Sequence, residues 1–285
     1  MLKTLKRLIP RKFRKEKITI PLVRLQGVIQ AGGSQFRPSL SIANVADKLE
    51  KAFARKGPAI IVAINSPGGS PVQARAIFHK IRALAQEKEK KVIVYVEDVA
   101  ASGGYLIALA GDEIIADPTS IVGSIGVISA GFGFEELIRK IGVQRRVYTA
   151  GENKSVLDPF LPEKQSDIEH LKSLQRDVHQ IFIDMVKERR GEKLVQDDTL
   201  FTGLFWSGAR GKELGLVDAT GDLLTEIKAR YGEKVEIETV EQSKGFVGRF
   251  VSGFRGGAAP AVGAGLATGA IEAAEERLWW SRYGL

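Results

Sequence analysis

The 285-residue chain contains no cysteine. Disulfides, thiolate metal sites and a cysteine nucleophile are thereby excluded, and the absence fits a reducing compartment. Histidine is almost as scarce: His79, His170 and His179 are the whole supply, too few and too scattered for a multi-histidine metal centre. No metal or cofactor is expected. Long apolar runs are missing as well. The segment from Gly256 to Ile271 carries no charge, but it is too short to span a bilayer and contains Pro260. No apolar stretch follows the basic N-terminal residues, so they do not read as a secretory signal. The expectation is a cytoplasmic protein, at most peripheral to the membrane.

What is present is ordinary in bulk. Hydrophobic residues make up 44% and charged residues 27%, the balance of a globular protein with one large domain or two small ones. The formal charge of +8 invites a nucleic-acid reading until it is mapped along the chain. Residues 1–17 hold eight Lys and Arg against one Glu, so the remainder is nearly neutral. The charge belongs to an arm and not to a groove, which argues against nucleic acid as a partner. Within that arm Leu2, Leu5, Leu8, Ile9 and Phe13 fall near helical spacing, a pattern suited to an anionic membrane surface. A solvated tail is the plainer alternative.

Between the arm and about residue 242 the pattern alternates. Residues 17–30 read as an opening strand or a strand pair and 58–66 as a strand, continuously apolar as in a sheet buried on both faces. Helical spacing marks 42–53 and 71–89, and 91–98 repeats the buried-strand pattern. A small-residue helix at 102–110 follows, then strands at 113–116 and 125–129, a helix near 134–141 and a strand at 143–149. A long helix spans 163–190, 206–231 reads as helical in two pieces, and 235–240 is a last strand. Strands interleaved with helices imply an α/β fold with a mostly parallel sheet. Residues 243–285 form a Gly/Ala-rich tail. Trp279, Trp280 and Tyr283 near its end suit a membrane interface or a neighbouring subunit.

Two glycine-rich turns follow the two buried strands. Asn65-Ser66-Pro67-Gly68-Gly69-Ser70 leaves backbone amides free to face a ligand, although a Pro-Gly-Gly turn is by itself only a turn. Ala100-Ala101-Ser102-Gly103-Gly104-Tyr105 sets a serine at the start of a helix, where developing negative charge is favoured. A capping serine is the ordinary explanation of that position. No G-x-S-x-G signature of the histidine-using hydrolases is present, and no histidine neighbours either turn in sequence. A nucleophilic serine would then need another base. A lysine serves if desolvation lowers its pKa by about three units, and Lys154, in Thr149-Ala150-Gly151-Glu152-Asn153-Lys154-Ser155, lies just past the segment 143–149.

Taken in order, SPGGS, VAASGGY, VGSIGVI at 122–128, TAGENKS and FTGLFWSGARGKELGLVD at 201–218 resemble the signal peptide peptidase A-type family of serine peptidases, over about residues 18–240. The resemblance implies a spiral of stacked ββα units, as in the Clp protease and crotonase superfamily, in a single catalytic domain (18–242). It also implies a Ser-Lys dyad. On that pattern Ser102 matches the nucleophile, Lys154 the general base, and Ser124 the hydroxyl that steadies the lysine. Backbone N–H groups of Gly69 and Gly103 match the oxyanion donors. Extended apolar peptides such as signal-peptide remnants, or membrane-associated proteins, are the implied substrates. A homo-oligomeric ring or dome is implied too, with neighbouring subunits able to share a site.

Two other readings share parts of this pattern. A crotonase-type acyl-CoA enzyme would use carboxylates, and only Glu97 and Asp98 lie near the turns. A non-catalytic membrane scaffold would have no use for Ser102 and Lys154. Asp112, Asp117 and Asp158 suit turn and capping roles.

Overall fold

The computed structural model describes residues 17–32, 39–240 and 277–285. Most of the basic arm, with its expected membrane contact, and the charge-free run of the tail lie outside the described residues.

An eight-stranded sheet forms the centre. In chain order its strands are β1 (Thr19–Gln26), β2 (Ala59–Ser66), β3 (Lys91–Ala101), β4 (Glu113–Ala116), β5 (Ile121–Gly123), β6 (Phe205–Ser207), β7 (Ala219–Thr220) and β8 (Glu236–Thr239). The main path runs β6-β5-β3-β2-β1-β8, with β4 joining β3 to β7. Every pairing is parallel except β5 with β6. All eight residues of β2 are buried, as a continuously apolar strand in the middle of a parallel sheet must be. Successive side chains enter opposite layers. Ile60, Val62 and Ile64 join Val23, Leu25, Val92 and Val94 on one face, while Ile61, Ala63, Ile20 and Ile93 pack on the other with Ile227.

The helices are α1 (Ile42–Phe53), α2 (Pro71–Glu87), α3 (Gly103–Ala108), α4 (Glu135–Lys140), α5 (Gln165–Arg190), α6 (Gly208–Glu213) and α7 (Leu223–Tyr231). Ser41 caps α1 by accepting from the Asn44 amide, and Ser70 caps α2, where Pro71 takes the first turn. Helix α2 buries Ala74, Ile77, Ile81 and Leu84, each large side chain contributing about 1.5–3 kcal/mol of apolar transfer.

Strand β3 decides where the site falls. Its first half, Ile93 to Val96, pairs with β4; its second half, Val99 to Ala101, pairs with β5. The sheet divides there, with β4 beside the first half of β3 and β5 beside the second. Opposite, the β2–β3 register shifts between Ile64 and Ser66, a bulge that bends the strand end and re-aims the turn after it.

The α/β class and the mostly parallel sheet are as expected. Three local expectations are corrected. The strand expected at 125–129 sits earlier, at Ile121–Gly123, because Gly123 (φ +103°) and Ser124 (φ 52°) leave the extended region and end it. Residues 143–149 form no strand and are almost wholly exposed, with no strand paired to them among the described residues. The stretch 206–231 does contain two helices, but β6 and β7 precede them, because its first residues pair with β5 and residues 219–220 pair with β4.

Candidate active site

Both glycine-rich turns emerge at the same end of neighbouring strands, β2 and β3, and pack against each other. A Cβ added at Gly68 would stand 2.8 Å from the Ser102 Cβ, so only glycine permits this approach. Gly69 (φ +135°) is held in the first turn by two backbone bonds: Ile29 N–H donates to Gly68 O at 2.8 Å, and Ser70 N–H donates to Ile29 O at 2.7 Å. Asn65 Nδ2 donates to Asp98, and Ser66 Oγ donates to Gly27 O at 2.7 Å, fastening the base of the turn.

Ser102 sits between the end of β3 and the start of α3 with φ 51° and ψ −121°. A non-glycine residue there is strained by roughly 1–3 kcal/mol, and such strain persists only where the surroundings enforce it. The Ser102 amide donates to Gly123 O at 2.8 Å, and the Leu106 amide donates to Ser102 O at 3.0 Å. One turn along α3, the fully buried Tyr105 donates its hydroxyl to Leu216 O at 2.7 Å. The ordinary capping role fails: the Ser102 side chain makes no capping bond. Ser102 instead lines a cleft of about 770 Å³, within the size range of ligand sites. The geometry is that of a sharp strand-to-helix elbow, without the sequence signature that usually announces one.

Gly69 and Gly103 line the same cleft. Among the described residues no hydrogen bond engages the amide of either. Two unengaged N–H donors beside a hydroxyl can receive the oxygen of a tetrahedral intermediate, a contribution of about 3 kcal/mol per donor. Helix α3 is only six residues long, so these amides, more than a helix dipole, would stabilise the charge.

Ser124, also with positive φ, lines the cleft; its amide donates to Leu204 O at 2.7 Å. The structure thus gathers Ser102, Ser124, Gly69 and Gly103 in one place. Lys154 is not there. It lies in an exposed turn, outside the residues that line the cleft, and among the described residues its ammonium meets neither carboxylate nor hydrogen-bond acceptor. Two residues that the sequence did not bring to the site do line the cleft. His179, on α5, shares a hydrogen bond of 3.0 Å between Nε2 and Ile125 O. Tyr283, from the last described segment, reaches Ser124. Neither carries a motif, so only the fold could reveal them. The carboxylates near the motifs are otherwise engaged: Asp112 accepts from the Val92 amide, Asp117 from Thr119, Asp158 from Arg145, and Glu97 from Arg24. No cluster of His, Cys, Asp or Glu suited to a metal occurs among the described residues.

A strained serine beside two unengaged amides in an apolar cleft is suited to acyl transfer. The family model described as peptidase family S49 matches residues 84–238, and the chain belongs to that family, the signal peptide peptidase A group. Among relatives, a protein of Brucella melitensis described as Na(+)/H(+) antiporter NhaA is 58% identical over 286 residues, covering 99% of this chain but 39% of its own length. The chain therefore spans about two fifths of that relative, and most of the Brucella protein lies outside the alignment. An Arabidopsis thaliana protein described as a chloroplastic serine protease SPPA is 32% identical over 204 residues, 70% of this chain and 29% of the relative. A solved membrane-bound stomatin-specific protease shares 17% identity, with a TM-score of 0.49 over 80% of this chain and 100% of its own. Among the described residues no helix is long and apolar enough to cross a membrane.

Proposed function

We propose that this chain is a serine endopeptidase acting on extended apolar peptides, with Ser102 as nucleophile and Lys154 as general base. The observation that carries the reading is the Ser102 elbow: a strained backbone, a side chain that makes no capping bond, and a place in the cleft beside the unengaged amides of Gly69 and Gly103.

In this reading the neutral amine of Lys154 takes the Ser102 proton as Oγ bonds to the scissile carbonyl carbon. The Gly69 and Gly103 amides receive the oxyanion. Collapse breaks the C–N bond, and the ammonium returns its proton to the leaving amine. Water repeats the cycle on the acyl-enzyme. The Ser124 hydroxyl would hold the amine without adding charge.

Lys154 is supplied, on this proposal, by a second copy of the chain. A lysine base needs its amine shielded from water, and coverage by another subunit would supply that shielding. The stretch around Lys154 is suited to being covered. Val127, Ile128, Phe132, Leu137, Ile141, Val143 and Tyr148, all within one stretch of the sequence before Lys154, are exposed, apolar side chains that an assembly could cover. The unpaired segment 143–149 would gain partners in the same way. Peripheral attachment to an anionic membrane through residues 1–17 is a further part of the proposal, as is a signal-peptide or membrane-protein substrate.

Labelling with a fluorophosphonate probe tests the assignment in the assembled protein. Wild type and His179→Ala should label at Ser102, while Ser102→Ala and Lys154→Ala should not. Labelling of Lys154→Ala at the wild-type rate, with loss in His179→Ala, would transfer the base to the histidine on α5 and overturn the dyad.

A further inference from the structure

A second concavity adjoins the active-site cleft. It is small, about 170 Å³, and its walls are Val127, Lys172, Gln175, Arg176 and His179. Val127 and His179 also line the cleft that holds Ser102, so the two concavities share a wall. The other three residues come from the same face of α5 as His179. Positions 172, 175, 176 and 179 stand three and four apart, the spacing that sets side chains beside one another on a helix. The bond between His179 Nε2 and Ile125 O, in which the carbonyl can only accept, fixes that ring at the junction.

The cations of this face are unpartnered, unlike those further along the same helix. There Lys187 lies over the Phe201 ring, Arg189 donates to Leu109 O and Gly111 O, and Arg190 pairs with Asp218. Among the described residues Lys172 and Arg176 meet neither a carboxylate nor an acceptor. The nearby acids are engaged elsewhere: Glu169 accepts from Gln165 at 3.0 Å, and Asp184 from Gln180 at 2.8 Å. Asp177 follows Arg176 directly and so lies about 100° further round the helix. Lys172 and Arg176 are themselves a like-charge pair at i,i+4, which weakens a helix unless an anion stands between them. The adjoining cleft has the same sign. Its charged lining residues are Arg75 and Arg282, with no Asp or Glu.

We propose that Lys172 and Arg176 form a carboxylate subsite of the peptidase, with the Gln175 amide beside them and Val127 and His179 joining the subsite to the cleft. The inference rests on the peptidase reading and deepens it. The preferred substrate is an extended apolar peptide that carries one carboxylate at a fixed number of residues from the scissile bond. That group is either an Asp or Glu side chain or the α-carboxylate at the peptide's own C-terminus; both present the same two oxygens to the cations. The concavity has room for a carboxylate with a few waters, each water taking about 30 Å³. The pairs therefore stay partly hydrated and are screened as exposed pairs are.

The test uses the full chain in its assembled form, as wild type, Lys172→Ala/Arg176→Ala and Lys172→Glu/Arg176→Glu. The substrates are one apolar peptide with a single Glu moved along it, each position matched by Gln, and each made as the C-terminal acid and the C-terminal amide. For one Glu position, or for the free C-terminus, wild type should show a KM about tenfold below that of the uncharged counterpart, with kcat little changed. The arm that responds names the source of the carboxylate. The preference should fade as salt rises from about 0.05 M to about 0.5 M. The alanine pair should bring the two KM values together. The glutamate pair should reverse the order and favour a peptide with Lys at that place, a reversal that loss of helix stability would not produce. Wild type cleaving charged and uncharged peptides alike, or a preference that persists in both double variants, overturns the inference while leaving the peptidase intact. Failure to cleave any peptide, with no fluorophosphonate on Ser102, overturns the peptidase reading itself, and the inference with it.

Discussion

Replacing Gly69 with alanine probes the proposed oxyanion turn directly. The added Cβ would lie 2.1 Å from Ile29 O, 2.9 Å from Ile29 C and 3.0 Å from Ile29 N, all backbone atoms of the bridge that holds the turn. Restoring even the shortest tolerable separation moves the turn by about 0.9 Å, and no side chain can rotate away to absorb it. The motion strains the bonds to Gly68 O and from Ser70 N and carries the Gly69 amide away from the position of the oxyanion. A displacement of that size can cost about 100-fold in rate, and loss of one oxyanion donor costs about 100- to 1000-fold in kcat. Gly69→Ala should therefore lower kcat for peptide hydrolysis by about two to three orders of magnitude, with a smaller change in KM. The strained φ adds about 1–3 kcal/mol of destabilisation, read as a lower Tm. Gly27→Ala is the control: φ is +107° but nothing lies within 4 Å of the added Cβ, so it should share the strain and keep kcat. A Gly69→Ala chain with wild-type kcat, whatever its Tm, would refute the placement of the oxyanion at that amide.

Two other expectations concern stability and location. Burial pushes the Asp218 carboxyl up, but hydrogen bonds from Arg190, Lys193 and the Ile114 amide outweigh it and leave the pKa below the usual value. A depressed carboxylate stabilises the fold above its unfolded pKa of about 3.9, and that stability is lost as pH falls through the folded value. Tm should thus drop on acidification below about pH 4. Asp218→Asn, which leaves the 4%-exposed Arg190 unpaired by charge, should cost about 3 kcal/mol at neutral pH; an unchanged denaturation midpoint would contradict this. Full-length protein should co-sediment with anionic vesicles in low salt and release in high salt, while a chain lacking residues 1–17 should stay in solution; equal partitioning of the two would remove the membrane proposal.

The parts of the fold legible in the sequence are those where local pattern and tertiary environment coincide. β2 and β3 are continuously apolar because both faces of the sheet are covered, and α1 and α2 show their spacing because each lays one face on that sheet. The two glycine turns were legible for the same reason: tight approach of backbone to backbone admits no other residue at Gly68 and Gly69. Other features depended on geometry that no spacing encodes. The apolar residues Ile125, Val127 and Ile128 suggested a strand, but the left-handed Gly123 and Ser124 had already ended it. The β-branched segment 143–149 has no neighbouring strand among the described residues, so its propensity goes unrealised there. Ser102 looked like a helix cap, and only its φ and ψ reveal an elbow. His179 and Tyr283 reach the cleft from distant segments, 54 residues from Ile125 and 159 from Ser124, across separations where periodicity carries no information.

Whether Ser102 and Lys154 act together from different chains, as proposed, is measured by mixing two inactive proteins. Ser102→Ala and Lys154→Ala should each be inactive alone. Dissociated, combined in equal amounts and reassembled, they should recover about one quarter of wild-type peptide hydrolysis, because in a closed ring about one site in four receives an intact serine from one subunit and an intact lysine from its neighbour. Two inactive parents whose reassembled mixture stays inactive, although mass analysis shows the subunits mixed, would contradict the shared dyad.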